Sequence, residues 1–345
     1  MGAVAATRGA EPSIADKVAF LCSAATYPHA PERVEVIETH MAWVFLAGQL
    51  AFKMKKPVRY DFLDFTSLAA REFTCREELR LNQRLAGGVY LDVVPLWLAP
   101  AGTLALSGAG QVAEWLVKMQ RLPAARRLDA AIEGGTVTAP DIAAVAQHLV
   151  TFYLTASPVA QSTALVLQRF VGEHEKNVAL LSDQRFNLDH ALTAKVLARM
   201  TRALPTARYL LARRAKKNVF VEGHGDLRPE HVCLVTPPVI IDCLEFNRDL
   251  RLLDPFDEIA FLGLECERLG AAWIGQDILA ACLSELRPTP TAQLLAFYRA
   301  ARALLRARLA LAHLTEPNPR LPAKWEPRAR SYVALADAAL AEFEA

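Results

Sequence analysis

The chain is 345 residues long, 53% hydrophobic and 22% charged, with 39 basic side chains against 37 acidic ones and a formal net charge of +2. That length fits one large or two moderate domains, and that apolar fraction can fill a sizeable core, which excludes a disordered chain. The near-neutral balance supplies no overall field, so neither nucleic acid nor an anionic membrane surface is expected as a partner.

The apolar tract at 294–314 is interrupted by Arg299, Arg302, Arg306 and Arg308, so it does not read as a membrane span. Residues 1–20 carry Arg8, Glu11, Asp16 and Lys17 and no long apolar run, so no secretory signal is expected. Met1-Gly2 suggests myristoylation, but position 6 is alanine, and the motif fails. Cys22, Cys75, Cys233, Cys243, Cys266 and Cys282 form no CxxC pair, and four of them lie in apolar runs. Reduced, buried thiols in a cytoplasmic protein follow, rather than a disulfide framework or a structural zinc site.

In chain order, residues 1–30 read as a leader with a short helix. Three short strands follow within 34–55, with turns at His40 and Gly48. Residues 67–86 have helical spacing and end at Gly87-Gly88. Tyr90–Leu98 and Ala113–Met119 are further strand candidates. After Pro123 the pattern becomes helical, except for a strand-like island at 219–243. This predicts an α+β architecture: a small antiparallel-sheet unit at 31–120, then a larger, mostly helical unit at 121–345. The second unit is expected to carry a polar loop at 224–231 and a strand at 239–245. No GxxxxGK[ST] occurs, so there is no P-loop.

The island carries the chemistry. It contains HGDLRPEHV at 224–232, and Asp242 follows Val239-Ile240-Ile241. Two carboxylates at the ends of neighbouring strands can converge, one orienting an attacking hydroxyl and the other holding a divalent cation. Upstream, Lys53 and Lys55 share one face of a strand, and Glu77 and Glu78 follow on a helix. A strand lysine held by a helix glutamate fixes an ammonium against nucleotide phosphates.

These residues resemble the aminoglycoside phosphotransferase/choline kinase branch of the protein-kinase-like fold. The resemblance is closer still to uncharacterised bacterial aminoglycoside phosphotransferase family proteins with ETH, KxKKP, HGDLRPEH and IDCLEFN motifs. It covers roughly 30–315 and implies a two-lobed, ATP-dependent phosphotransferase with Mg²⁺ or Mn²⁺ and a small-molecule acceptor. By the resemblance, Asp226 accepts the acceptor's hydroxyl proton, His224 braces the loop and Asp242 binds metal. Lys53 meets the phosphates with Glu78 as its partner, Lys55 being the alternative lysine. The backbone of Gln120–Leu122 meets the adenine. Related proteins often carry a P-loop domain, so a separate P-loop partner protein is a further expectation.

Three departures stand out. His231 occupies the position of a metal-binding asparagine, which implies either a softer ligand or a packed histidine bonded to Asp226 or Asp242. The turn at Glu38–Ala42 has no glycine, so Thr39 or His40 would have to meet the phosphates. Asp242 is followed by Cys243-Leu244-Glu245, and Glu245 could be an extra ligand. The alternative function is a nucleotide-binding module without turnover. Asp254-Pro255-Phe256-Asp257-Glu258 reads as a helix start with Asp257 in a capping box, and Arg299, Arg302 and Arg306 as a solvated or ion-paired helix face.

Overall fold

In the computed structural model, residues 11–60 and 63–345 are described, so the first ten positions of the expected leader lie outside the described residues. Helix α1 (Ile14–Cys22) starts at a capping box in which Ser13 and Asp16 satisfy each other's backbone amides. Strands β1 (Val34–Glu38), β2 (Ala42–Ala47) and β3 (Leu50–Lys55) follow where apolar alternation places them. The short strands β4 (Arg59–Tyr60) and β5 (Leu63–Asp64) then lead to helix α2 (Leu68–Asn82). Strands β6 (Tyr90–Leu98), β7 (Leu104–Ala105) and β8 (Gln111–Gln120) complete an antiparallel sheet in the order β1-β2-β3-β8-β6-β7.

Strand β3 is interior to this sheet, pairing Lys53 with Val44 on one side and with Val117 on the other. Its period of two divides its side chains between faces. Phe52 and Met54 join Leu21, Phe45, Leu96 and Leu116 in a core cluster that includes a side chain of α1. Lys53 and Lys55 point the opposite way, to the face that meets α2.

The remaining elements are mainly helical: α3 (Leu128–Glu133), α4 (Ala139–Thr155), α5 (Thr163–Leu181) and α6 (His190–Lys216). Short strands β9 (Val221–Glu222), β10 (Val232–Cys233), β11 (Val239–Ile240) and β12 (Leu252–Leu253) form the predicted island. Helices α7 (Pro255–Arg268), α8 (Ala272–Glu285), α9 (Ala292–Ala312) and α10 (Trp325–Glu344) complete the chain. Helix α9 packs against α5, α7 and α10 around Phe297, Tyr298 and Tyr332, all fully or nearly fully buried.

The α+β architecture, a small antiparallel sheet followed by a mostly helical remainder, matches the expectation. Two compact units result, one through Pro123 together with Ile240–Asn247, the other comprising 124–239 and 248–345. The expected strand at 239–245 is shorter than the spacing suggests. Pairing stops at Ile240, and Asp242 lies beyond it with φ +62°, a left-handed conformation that aspartate tolerates better than most residues.

Candidate functional site

In the first unit an alternating line of charges crosses from β3 to α2. Lys53 Nζ donates to Glu78 Oε1 at 2.8 Å and to Asp242 Oδ1 at 2.7 Å. Lys55 Nζ lies 2.5 Å from Glu78 Oε2 and is also bonded to Glu245. Both strand lysines therefore hold one carboxylate, one on each oxygen. Glu78 and Lys55 are buried, whereas the Asp242 side chain is 43% exposed and forms the open end of the line. Burial opposes the charge on Lys53, but Asp242 and Glu78 prevail and hold its pKa well above the ordinary value. Burial likewise opposes ionisation of Glu78, yet Lys53 and Lys55 bring its pKa below the ordinary value. Glu77 instead faces Arg80, so Glu78 is the lysine partner.

The segment carrying Asp242 is tied to α2 and β6. The Cys243 amide donates to Asn82 Oδ1 at 3.0 Å, while Asn82 Nδ2 donates to the Glu78 carbonyl. The Asp242 amide donates to Tyr90 Oη at 3.1 Å. At the end of β8 the Gln120 amide is bonded to the Val89 carbonyl and the Arg121 amide to the Gln49 carbonyl. The Leu122 amide makes no hydrogen bond among the described residues, which leaves it the available donor of the three expected to meet adenine. The Thr39 hydroxyl accepts from the Ala42 amide at 3.0 Å and closes its own turn, and His40 is exposed.

In the second unit the loop after β9 is built on a buried glutamate. Glu258 Oε2 accepts from the His224 amide at 3.1 Å and from Tyr153 Oη at 2.7 Å, while Oε1 accepts from the Gly225 amide. Gly223 makes this possible, because a Cβ there would sit 2.5 Å from Glu258 Oε2. Gly225 has φ +90°, and His224 Nδ1 accepts from the Asp226 amide at 3.2 Å. Asp226 Oδ2 accepts from Arg228 at 2.8 Å, and Arg228 also binds Glu230. Burial works against ionisation of Asp226, but Arg228, His231 and Arg306 together bring its pKa down to about 2.

His231 has defined polarity. Its Nδ1 lies 2.8 Å from the Asp226 carbonyl, which only accepts, and its Nε2 lies 3.3 Å from Arg228, which only donates. In the neutral ring these contacts put the proton on Nδ1 and turn the Nε2 lone pair toward the Arg228 guanidinium. The ring also stacks on His224 with centroids 5.7 Å apart. Glu245 is committed to Lys55 rather than standing as an open ligand.

Two expectations about the helical part are settled by packing. The start of α7 at Pro255 holds, with Asp254 capping the Phe256 amide. Asp257 forms no capping box; it takes Arg302 on both oxygens, at 2.7 and 2.8 Å. Arg299 pairs with Glu267 and Glu342, and Arg306 with Glu265, so this face of α9 is ion-paired. Sequence reasoning missed Glu258, Tyr153 and Arg228. The first two act on the loop from distant helices, which no local pattern reveals. Arg228 lay within the quoted motif, and a cation two positions after a candidate base was a signal to be read.

No family model matches the chain. An uncharacterised protein of Mycobacterium tuberculosis is 33% identical over 296 residues, covering 83% of this chain and 56% of that protein, and one of Mycobacterium bovis matches to the same extent. The chain thus spans about half the length of the curated relatives it matches. Among solved structures, a choline/ethanolamine kinase family protein from Mesorhizobium loti superposes with a TM-score of 0.55 at 17% identity, over 95% of this chain and 98% of that one. Choline kinase from Cryptosporidium parvum gives 0.52 at 9% identity, over 95% and 94% of the two chains. Aminoglycoside 2'-phosphotransferase-IIIa gives 0.50 at 16% identity, over 89% and 92%. At these identities the likeness is one of fold.

Proposed function

We propose that this chain, which has the protein-kinase-like fold of those structures, is an ATP-dependent phosphotransferase that moves the γ-phosphate to a hydroxyl of a small molecule. The observation that carries this reading is Lys53 held at 2.8 Å by Glu78 and at 2.7 Å by Asp242. A permanently charged ammonium fixed by two carboxylates is preorganised for phosphate oxygens, with no reorganisation left for the reaction itself. Asp242, exposed at the end of the charge line, would hold Mg²⁺ or Mn²⁺, which supplies neutralisation of phosphate charge when bound. The Leu122 amide is the donor proposed for adenine.

Asp226 is ionised over the working pH range and so can accept the proton of the acceptor hydroxyl. Its carboxylate is turned by Arg228, and its backbone is set by His224 and Glu258. His231 enters this reading first as a brace of that loop, because its Nε2 lone pair is directed at Arg228. A cytoplasmic setting suits both ATP and the six free cysteines. A separate P-loop partner protein remains a distinct proposal, tested by whether such a protein changes the turnover measured here.

The test is a phosphorylation assay on a panel of hydroxyl compounds with Mg²⁺ or Mn²⁺. Transfer is expected in the wild type and a loss of about 10²–10⁴-fold in Asp226→Asn. Equal rates in the two proteins would sink the assignment. A second reading, nucleotide binding without turnover, draws on the Arg228 ion pair on Asp226 and the glycine-free turn at Glu38–Ala42. It predicts an ATP-dependent rise in melting temperature with no transfer to any acceptor.

A further inference from the structure

Helix α7 carries two buried glutamates, Glu258 and Glu265, separated by two turns, roughly 10 Å of rise. The first holds the Asp226 loop, and the second gathers arginines. Arg306 donates through Nε to Glu265 Oε1 at 2.8 Å, and Arg268 through Nε to Glu265 Oε2 at 3.0 Å. Tyr332 donates its hydroxyl to the same carboxylate at 2.6 Å, with Arg268 and Arg306 each against its ring, 5.6 and 5.7 Å from the centroid. Both arginines meet Glu265 through Nε, each by a single nitrogen rather than as a two-pronged fork.

A third arginine, Arg328, stands one turn before Tyr332 on α10. It is half-buried, and its guanidinium has neither a hydrogen bond nor an ion pair among the described residues. Two guanidinium groups thus share one carboxylate while a third stands near them unpaired among the described residues, an arrangement with surplus positive charge. A half-buried arginine without a counter-ion is costly unless something anionic completes it. Burial, together with the charges of Arg268 and Arg306, lowers the pKa of Arg328, the direction expected where cations crowd each other. Arg306 also acts electrostatically on Asp226, which ties this cluster to the loop.

We propose that the acceptor carries an anionic group, a carboxylate or a phosphate ester, and that Arg328, Arg306 and Arg268 receive it while the acceptor's hydroxyl meets Asp226. This rests on the phosphotransferase reading and narrows it. Choline and aminoglycosides are cations, and this cluster would repel them. Guanidinium forks suit carboxylate and phosphate oxygens better than any other side chain does.

The test has two arms on the full chain, with gluconate and glycerol phosphate as anionic probes and choline and glucosamine as cationic ones. In thermal shift without nucleotide, the anions are expected to raise the melting temperature of the wild type, and the cations are not. Arg328→Gln should weaken anion binding about tenfold or more, and Arg328→Lys should restore part of it. Because the Arg328 side chain makes no hydrogen bond or ion pair among the described residues, both variants should melt like the wild type without ligand. Absence of anion binding in the wild type, or binding indifferent to Arg328→Gln, overturns the proposal. In the second arm, the affinity for ATP with Mg²⁺ should be the same in wild type and Arg328→Gln. A tenfold loss there would place nucleotide phosphate on the arginines and overturn the acceptor assignment. A wild type that binds the anions through Arg328 but never binds ATP sinks the phosphotransferase reading instead, while the anion site stands.

Discussion

Asp226 is pulled in two directions, by burial toward the neutral acid and by Arg228 and its neighbours toward the anion, and the cations win. Its folded-state pKa, about 2, lies below the ordinary 3.8, so its ionised form stabilises the fold above the ordinary value, and that contribution is lost as pH falls through about 2. Urea denaturation of wild type and Asp226→Asn should therefore show a gap that is full near pH 5 and closes toward pH 2; a gap that does not move with pH would refute the assignment. Lys53→Met should raise the KM for ATP and lower kcat, since it removes the ammonium that Glu78 and Asp242 hold in place. His231→Asn separates its two roles. If the histidine braces the loop, the variant loses the 2.8 Å contact to the Asp226 carbonyl and the ratio of Mg²⁺- to Mn²⁺-supported rates stays put; if it binds metal, that ratio rises. At this scale the motif and its neighbours could be read directly, because HGD, the strand lysines and Glu78 are close in sequence or share an obvious period. The roles of Arg228 and His231 could not, because each depends on which lone pair faces which donor.

Among the elements, α7 does most to shape the loop. Its Glu258 satisfies two backbone amides of the His224–Gly225 turn from 34 and 33 positions away, a link that a reading of DPFDE as a helix start cannot anticipate. The same segment shows why Asp257 gave up its expected cap: a bidentate arginine, at 2.7 and 2.8 Å, competes better for a buried carboxylate than a backbone amide does. Gly223→Ala should destabilise the protein by about 1–3 kcal/mol and disturb the loop, because the added carbon meets Glu258 Oε2 at 2.5 Å. Helix α7 is held against α8 by a glycine contact, Gly263 on Gly275, where a Cβ on Gly275 would lie 2.5 Å from the Gly263 Cα. Gly275→Ala is therefore expected to lower the melting temperature by an amount equivalent to about 1–3 kcal/mol, read in a denaturation series. A melting curve unchanged in either variant would show that these close contacts are relaxed in solution. Strands β1–β3 were legible because alternation in a half-buried sheet is a strong local signal. The end of β11 was not, because Asp242 leaves the strand to meet Lys53, a partner 189 positions away.

At the level of the whole chain, the expected division near 120 falls close to Pro123, but the second crossing, where Ile240–Asn247 groups with the first unit, was invisible to composition. Eight residues carry no compositional shift; their placement follows from hydrogen bonds to Asn82 and Tyr90 and from ion pairs to Lys53 and Lys55. This interleaving has a consequence for how the protein is made. As the chain leaves the ribosome, strand β3 and helix α2 emerge early, yet the carboxylates that balance Lys53 and Lys55 appear only after more than a hundred further residues. Until then Glu78 alone faces two lysines, so the nascent sheet holds an unbalanced positive charge that opposes its closure. The sheet unit is thus begun before the helical one but cannot be completed until Asn247 has emerged. A fragment ending at Pro123 should remain loosely folded, and adding the segment through Asn247 should let the sheet protect its amides from hydrogen exchange.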